Sequence, residues 1–216
     1  MHQTNQHFYD RIANAYDALA DSNEHAARET GLTMLAAQPG WRVLEIGFGT
    51  GSSLALLAQS VGDSGHVDGV DVSPGMRDVA MRKLTEQKLS QRVSLSVGDA
   101  VELNFADASF DAVFMSFTLE LFAPSDADNV LAEVLRVLKP GGYLANVSMS
   151  TVAKDQSESV LEKTYQWMHR HFPHIVDCRP IDAAALLNDS GFAIQQETRM
   201  DIWTMPVSAV LAQKPA

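Results

Sequence analysis

Three glycines at alternate positions close an apolar run in Val43-Leu44-Glu45-Ile46-Gly47-Phe48-Gly49-Thr50-Gly51, and a carboxylate stands two residues before the first of them. Glycine lets the chain turn tightly and lets a ligand lie against bare main chain. The apolar stretch Ser52 to Val61 that follows reads as a helix, whose first amides point into the same crevice. The dinucleotide fingerprint spaces its last two glycines further apart. A carboxylate inside such a turn would also repel a pyrophosphate. Glu45 therefore suits a ligand with a cationic or ammonium end.

Two further acids fall where strands should end. Asp71 follows Gly47 by about 24 positions, near the spacing at which an acid meets a ribose hydroxyl pair. Asp99, in Val97-Gly98-Asp99-Ala100, can accept from the exocyclic amine of an adenine, and the amide of Ala100 can reach the ring. Met76 and its apolar neighbours, Val72 among them, can sandwich that ring.

The elements that must position these groups alternate. Residues 1–40 read as helical, with Phe8, Ile12, Ala15 and Leu19 at helical spacing, a second run from Glu24 to Ala37, and a stop at Pro39-Gly40. Strands are expected at Arg42–Ile46, His66–Val72, Arg92–Val97, Phe110–Ser116 and Tyr143–Met149. Between them, Ser73-Pro74 opens a helix running to about Leu89. Ser125 or Asp126 caps another, which stops at Lys139-Pro140-Gly141-Gly142. Residues 150–175 read as largely helical, and Ile181 to Ser190 as a short helix. Phe192–Met200 and Met205–Gln213 should form a closing hairpin, one strand of which runs against the rest. This pattern predicts an α/β, doubly wound sheet with ligands beyond the carboxyl ends of its strands.

The motifs VLEIGFGTG (43–51), GVDVSPGM (69–76), VGDA (97–100), FDAVFMSFTLELF (110–122) and LRVLKPGG (135–142) together resemble the class I S-adenosylmethionine-dependent methyltransferases. The resemblance implies a Rossmann-like seven-stranded sheet of order 3-2-1-4-5-7-6 with helices on both faces, and S-adenosyl-L-methionine as cofactor. It further implies Gly47, Gly49 and Gly51 under the methionine part and Glu45 near it. Asp71 would hold the ribose, and Asp99 with Ala100 the adenine. Ser116 and Phe117 would flank the sulfonium. The flanks are similar to the ubiquinone/menaquinone C-methyltransferase-like branch, whose opening helix matches YDRIANAYD (9–17) and brings Tyr16 over the cofactor. Where that branch carries an Arg-Asn pair after the fourth strand, this chain has Thr118-Leu119-Glu120-Leu121.

If the acceptor needs deprotonation, the candidate bases are Glu120, His171 and His174. His169, His171, His174, Asp177 and Cys178 are ligand types close in sequence. A polar loop over the active site explains them without a metal, and no metal is assigned. The domain plan is an N-terminal helical lid, 1–40, on a methyltransferase domain, 41–216, with a substrate-covering insertion around 150–181.

Composition narrows the partners. The 216 residues carry a formal net charge of -11, and no Lys/Arg cluster offers the basic face that nucleic acid requires. One cysteine excludes an intramolecular disulfide. The polar start lacks a signal peptide's apolar stretch, and no apolar run reaches the roughly 18 residues of a membrane span. These features point to the cytoplasm; with them, the resemblance implies a monomer or homodimer acting on a small-molecule methyl acceptor.

Overall fold

The computed structural model describes residues 21–151, 179–202 and 205–216. Five helices and seven strands follow in order: α1 (Asp21–Leu35), β1 (Arg42–Ile46), α2 (Ser52–Val61), β2 (His66–Asp71), α3 (Pro74–Glu86), β3 (Val93–Val97), β4 (Phe110–Ser116), α4 (Pro124–Val137), β5 (Leu138–Met149), α5 (Ala183–Asp189), β6 (Ala193–Ile202) and β7 (Met205–Gln213). The strands make one sheet in the order β3-β2-β1-β4-β5-β7-β6, as expected. β1 pairs in parallel with β2 and β4, β2 with β3, and β4 with β5. β7 is the reversed strand, antiparallel to both β5 and β6.

Helices cover both faces, and the strand alternation shows why. Val43, Ala112 and Phe114 join the core under α1, α2 and α3, whereas Leu44, Ile46, Val113 and Met115 join the core under α4 and α5. Successive side chains leave a strand on opposite faces, so the central strands are apolar at nearly every position. Glu45 shares the parity of Val43 and is turned beneath α1 and α2. α1 lies close to the sheet, because a Cβ on Gly31 would run into Val147 and approach Phe114 at 3.2 Å. The described part of the expected lid is thus built into the core, with Ala27 and Leu35 buried.

Several boundaries differ from expectation for physical reasons. α4 starts two or three residues earlier than a cap at Ser125 or Asp126 would place it: Ala123 is the N-cap, no side chain caps it, and Pro124 fills the first helical position. Proline presets the helical φ and has no N–H to satisfy. β5 begins at Leu138, which pairs with Phe110 across an irregularity, before the glycines that were expected to precede the strand. α5 starts at Ala183 with Asp182 accepting from the Ala185 amide, while Ile181 forms an isolated parallel bridge with Ser150. α3 ends at Glu86, short of Leu89.

Candidate functional site

The carboxyl ends of β1, β2 and β4 open into a cavity holding about 1190 Å³ of empty space, solvent at its mouth included. Of the residues assigned to the cofactor, Glu45, Gly47, Gly49, Asp71, Val72, Met76, Ala100, Ser116 and Phe117 line it. Gly51 and Asp99 are not in the lining, although Gly98 and Ala100 are. Tyr16, His171 and His174 lie outside the described residues, as do His169, Asp177 and Cys178. Among the described residues, no group of three or more acids, histidines or cysteines could hold a metal.

Asp71 organises the turn. One carboxylate oxygen accepts from the Gly49 amide at 2.9 Å and the other from the Ser73 amide at 2.9 Å. It therefore ties the glycine turn to the start of α3, where the Ser73 hydroxyl accepts from the Met76 amide at 3.1 Å. A carboxylate oxygen accepts more than one hydrogen bond, so this anchoring is compatible with ribose hydroxyls.

The three glycines have separate tasks. Gly49 is left-handed at φ +51°, and a Cβ there would meet nothing within 4 Å. Its main chain is bare toward the cavity. Gly47 is left-handed at φ +72°, and its Cα faces the Thr118 side chain, whose Cβ would lie 2.9 Å from an added methyl. Gly51 serves packing: at φ +84°, an added Cβ would stand 2.9 Å from that of Ala80. It lets α2 and α3 approach.

After β4, Phe117 adopts φ +51°, in the left-handed region. For a bulky residue this conformation stores about 1–3 kcal/mol and marks functional sites. Its amide donates to the Val147 carbonyl at 2.8 Å, which holds the turn while Phe117, Leu121 and Phe122 form an apolar wall. The Thr118 hydroxyl donates to the Ser116 carbonyl at 3.0 Å.

Sequence reasoning overlooked α1's contribution. Glu24 and Arg28 line the cavity, 3.7 Å apart, with Arg28 only 8 % exposed. The available signal was phase: Glu24, Arg28, Gly31 and Leu35 fall on one helical stripe, where an arginine is out of place unless it meets an acid or a ligand. Arg28 acts on Glu45. Burial pushes the Glu45 carboxyl up to about 8, the Ser53 hydrogen bond and Arg28 opposing the rise and Asp71 adding to it.

Glu120 is placed differently from a cavity-lining base. It sits in a short 3-10 turn, Leu119–Leu121, and is 1 % exposed. Its Oε1 accepts from the Met149 amide at 3.0 Å, and its main-chain carbonyl accepts from the Arg179 amide at 3.3 Å. Burial raises this carboxyl also to about 8, with Glu24 adding to the rise.

Residues 43–142 match the family described as "Methyltransferase domain". A demethylmenaquinone methyltransferase of Lactobacillus johnsonii is 36% identical over 140 residues, covering 58% of this chain and 57% of that protein. The chain thus spans little more than half the length of that curated relative. A solved S-adenosylmethionine-dependent methyltransferase from Aquifex aeolicus superposes with TM-score 0.65 at 24% identity, covering 87% of this chain and 89% of the other. The [4+2]-cyclase SpnF superposes with TM-score 0.71 at 22% identity, over 88% and 81% of the two chains. These findings agree with the expected family resemblance, sheet order and cofactor.

The residues present fit S-adenosylmethionine. Gly49 offers open main chain. The buried atoms Glu45 Oε2 and Ser116 Oγ, on residues of the cavity wall, have no hydrogen-bond partner among the described residues. A carboxylate suits an ammonium and a hydroxyl suits either end of an amino acid. Residues 43–142 match the methyltransferase-domain family, and the seven-stranded sheet around them shares its fold with the solved S-adenosylmethionine-dependent methyltransferase.

Proposed function

We propose that the protein transfers a methyl group from S-adenosylmethionine to a small, largely apolar acceptor. The observation that carries this reading is the Asp71 anchor: one carboxylate joins the glycine turn to the helix after β2 and faces the cavity where a ribose would lie. S-adenosylmethionine supplies a methyl already activated on a sulfonium. The protein's task is then chiefly to hold donor and acceptor in line and exclude water. In this reading Asp71 takes the ribose hydroxyls. Gly98, Ala100, Val72 and Met76 enclose the adenine, and Glu45 and Arg28 receive the ammonium and carboxylate of the methionine end.

Phe117, Leu121 and Phe122 give the acceptor side an apolar wall, which suits an aromatic or quinol-like ring. The names of the relatives point the same way, as demethylmenaquinone methyltransferases. Acceptor recognition is assigned to this wall together with the segments at 1–40 and around 150–181. Should a base be needed, His171 and His174 are its candidates, since Glu120 is buried off the cavity lining. No helix of the described residues is long and apolar enough to cross a membrane. We place the protein in the cytoplasm as a monomer or homodimer that takes no nucleic acid.

The test is transfer of a tritiated methyl from S-adenosylmethionine to a panel of quinols, phenols and amines. Label recovered in an organic-soluble quinol or phenol is expected. Binding of S-adenosylmethionine with no transfer to any class would favour a ligand-binding or scaffold role on the same fold.

A further inference from the structure

Where β1 and β4 stop pairing, a side chain takes over. Their ladder runs from Val43 opposite Ala112 to Ile46 opposite Met115 and ends there. The two chains then part. One becomes the glycine turn, tied toward β2 by the Gly47 amide on the Val70 carbonyl at 2.8 Å and by Asp71 on the Gly49 amide. The other becomes the wall of Phe117, Leu121 and Phe122, tied toward β5 by the Phe117 amide on the Val147 carbonyl. Each turn is thus anchored on its outer side, and Thr118 fills the space between them. A Cβ on Gly47 would run into Thr118 Oγ1 and Cγ2 and come within 2.9 Å of its Cβ, so this side chain lies flat on the bare Gly47 Cα. The Thr118 hydroxyl, donating to the Ser116 carbonyl at 3.0 Å, holds it in that pose. The Thr118 main chain serves the other side: its carbonyl accepts from the Leu121 amide at 3.1 Å and closes the turn that brings Leu121 to the cavity. One residue therefore touches the donor turn with its side chain and builds the acceptor wall with its main chain. Close-packed contacts of this kind yield little and transmit displacement.

Resting on the reading proposed above, with the methyl donor over the glycine turn and the acceptor against the apolar wall, we infer that Thr118 is a positioning residue that sets the separation of donor and acceptor. It acts by shape. Its β-branched side chain is stiff about χ1 and works as a spacer between the two turns; it neither takes a proton nor carries the affinity for either ligand. Methyl transfer needs the reacting atoms about 3–3.5 Å apart and in line, and a misplacement of about 1 Å costs on the order of 100-fold in rate. The bare Cα of Gly47 is the other half of this device, since any side chain there would force the donor turn and the wall apart.

The experiment compares wild type, Thr118→Ala and Thr118→Val. Calorimetry gives the affinity for S-adenosylmethionine. Transfer of a tritiated methyl to menadiol, a naphthoquinol used as the probe acceptor, gives the single-turnover rate and the half-saturating menadiol concentration. Thr118→Ala removes both arms of the spacer. Its rate should fall about 10- to 100-fold, while the affinity for S-adenosylmethionine and the half-saturating menadiol concentration stay within about threefold of wild type. Thr118→Val keeps the shape without the hydroxyl and should recover the rate to within about threefold of wild type. A wild-type rate in Thr118→Ala would overturn the inference. A loss of S-adenosylmethionine affinity in Thr118→Ala as large as its loss of rate would overturn it as well, since Thr118 would then serve cofactor binding or the fold. So would a Thr118→Val as slow as Thr118→Ala, because the hydroxyl would be the acting group. Wild type that binds S-adenosylmethionine yet never methylates menadiol would sink the quinol-type acceptor wall, and wild type that does not bind S-adenosylmethionine would sink the cofactor reading; either takes this inference with it.

Discussion

Two buried glutamates set two regions of the molecule against each other. Glu45, on the cavity wall, and Glu120, at the clasp where β5 ends, are both pushed up to about 8 by burial, and both have an Oε2 without a partner among the described residues. Their surroundings differ. Glu45 faces a cavity into which Arg28, Asp71 and open main chain also look. Glu120 accepts from the Met149 amide, and its own turn accepts from Arg179, so it ties the wall after β4 to chain segments on either side. A perturbed acid is therefore not by itself a functional one; the informative difference is what its charged form can meet.

The largest expected effect lies on the cavity side. Asp71→Ala removes the anchor of Gly49 and Ser73 together with the proposed ribose contact, and should weaken S-adenosylmethionine binding roughly 100-fold, since each hydrogen bond to a charged group contributes about 1.5–3 kcal/mol. Unchanged affinity in a calorimetric titration would remove the ribose assignment.

Next in size is an effect that the two glutamates should share. Each carboxyl ionises near 4.5 when unfolded but only near 8 in the fold. Between those values the folded state binds more protons, so this stabilisation is complete below about pH 4.5 and is lost as pH rises through 8. Glu45→Gln and Glu120→Gln should each flatten the fall in stability from pH 5 to pH 8, and raise stability at pH 8 by on the order of 1–3 kcal/mol. Denaturant melts at the two pH values measure this. A wild-type protein equally stable at both would show that neither carboxyl is held neutral.

The smallest effect separates the pair most cleanly. Glu45→Gln should weaken S-adenosylmethionine binding by roughly tenfold, about the loss of one charge-assisted contact, whereas Glu120→Gln should stay within about twofold. Equal losses in the two variants would erase the distinction between wall and clasp.

Much of the cavity side was legible in the sequence because its punctuation is local. Apolar runs ending in glycine bounded β1 and α2 correctly, the apolar run of β4 was found without such a stop, and Glu45 and Asp71 stood at strand ends where side-chain chemistry shows through. What stayed hidden depends on contacts distant in sequence. No residue type announces that Gly51 makes room for Ala80 while Gly49 faces open space. The left-handed turn at Phe117 is likewise set by its hydrogen bond to Val147, not by its own preference. Glu120, read as a base among apolar neighbours, is engaged by Met149, some thirty residues away. Arg28 was concealed for another reason: a charge on that stripe of α1 gains meaning only beside Glu45.

The account turns on the cavity being a site for a sulfonium amino acid joined to adenosine. Parallel titration of the purified protein with S-adenosylmethionine and with NAD tests that claim most directly. One-to-one saturable binding of S-adenosylmethionine and none of NAD is the predicted result; saturable NAD binding with no heat from S-adenosylmethionine would contradict it.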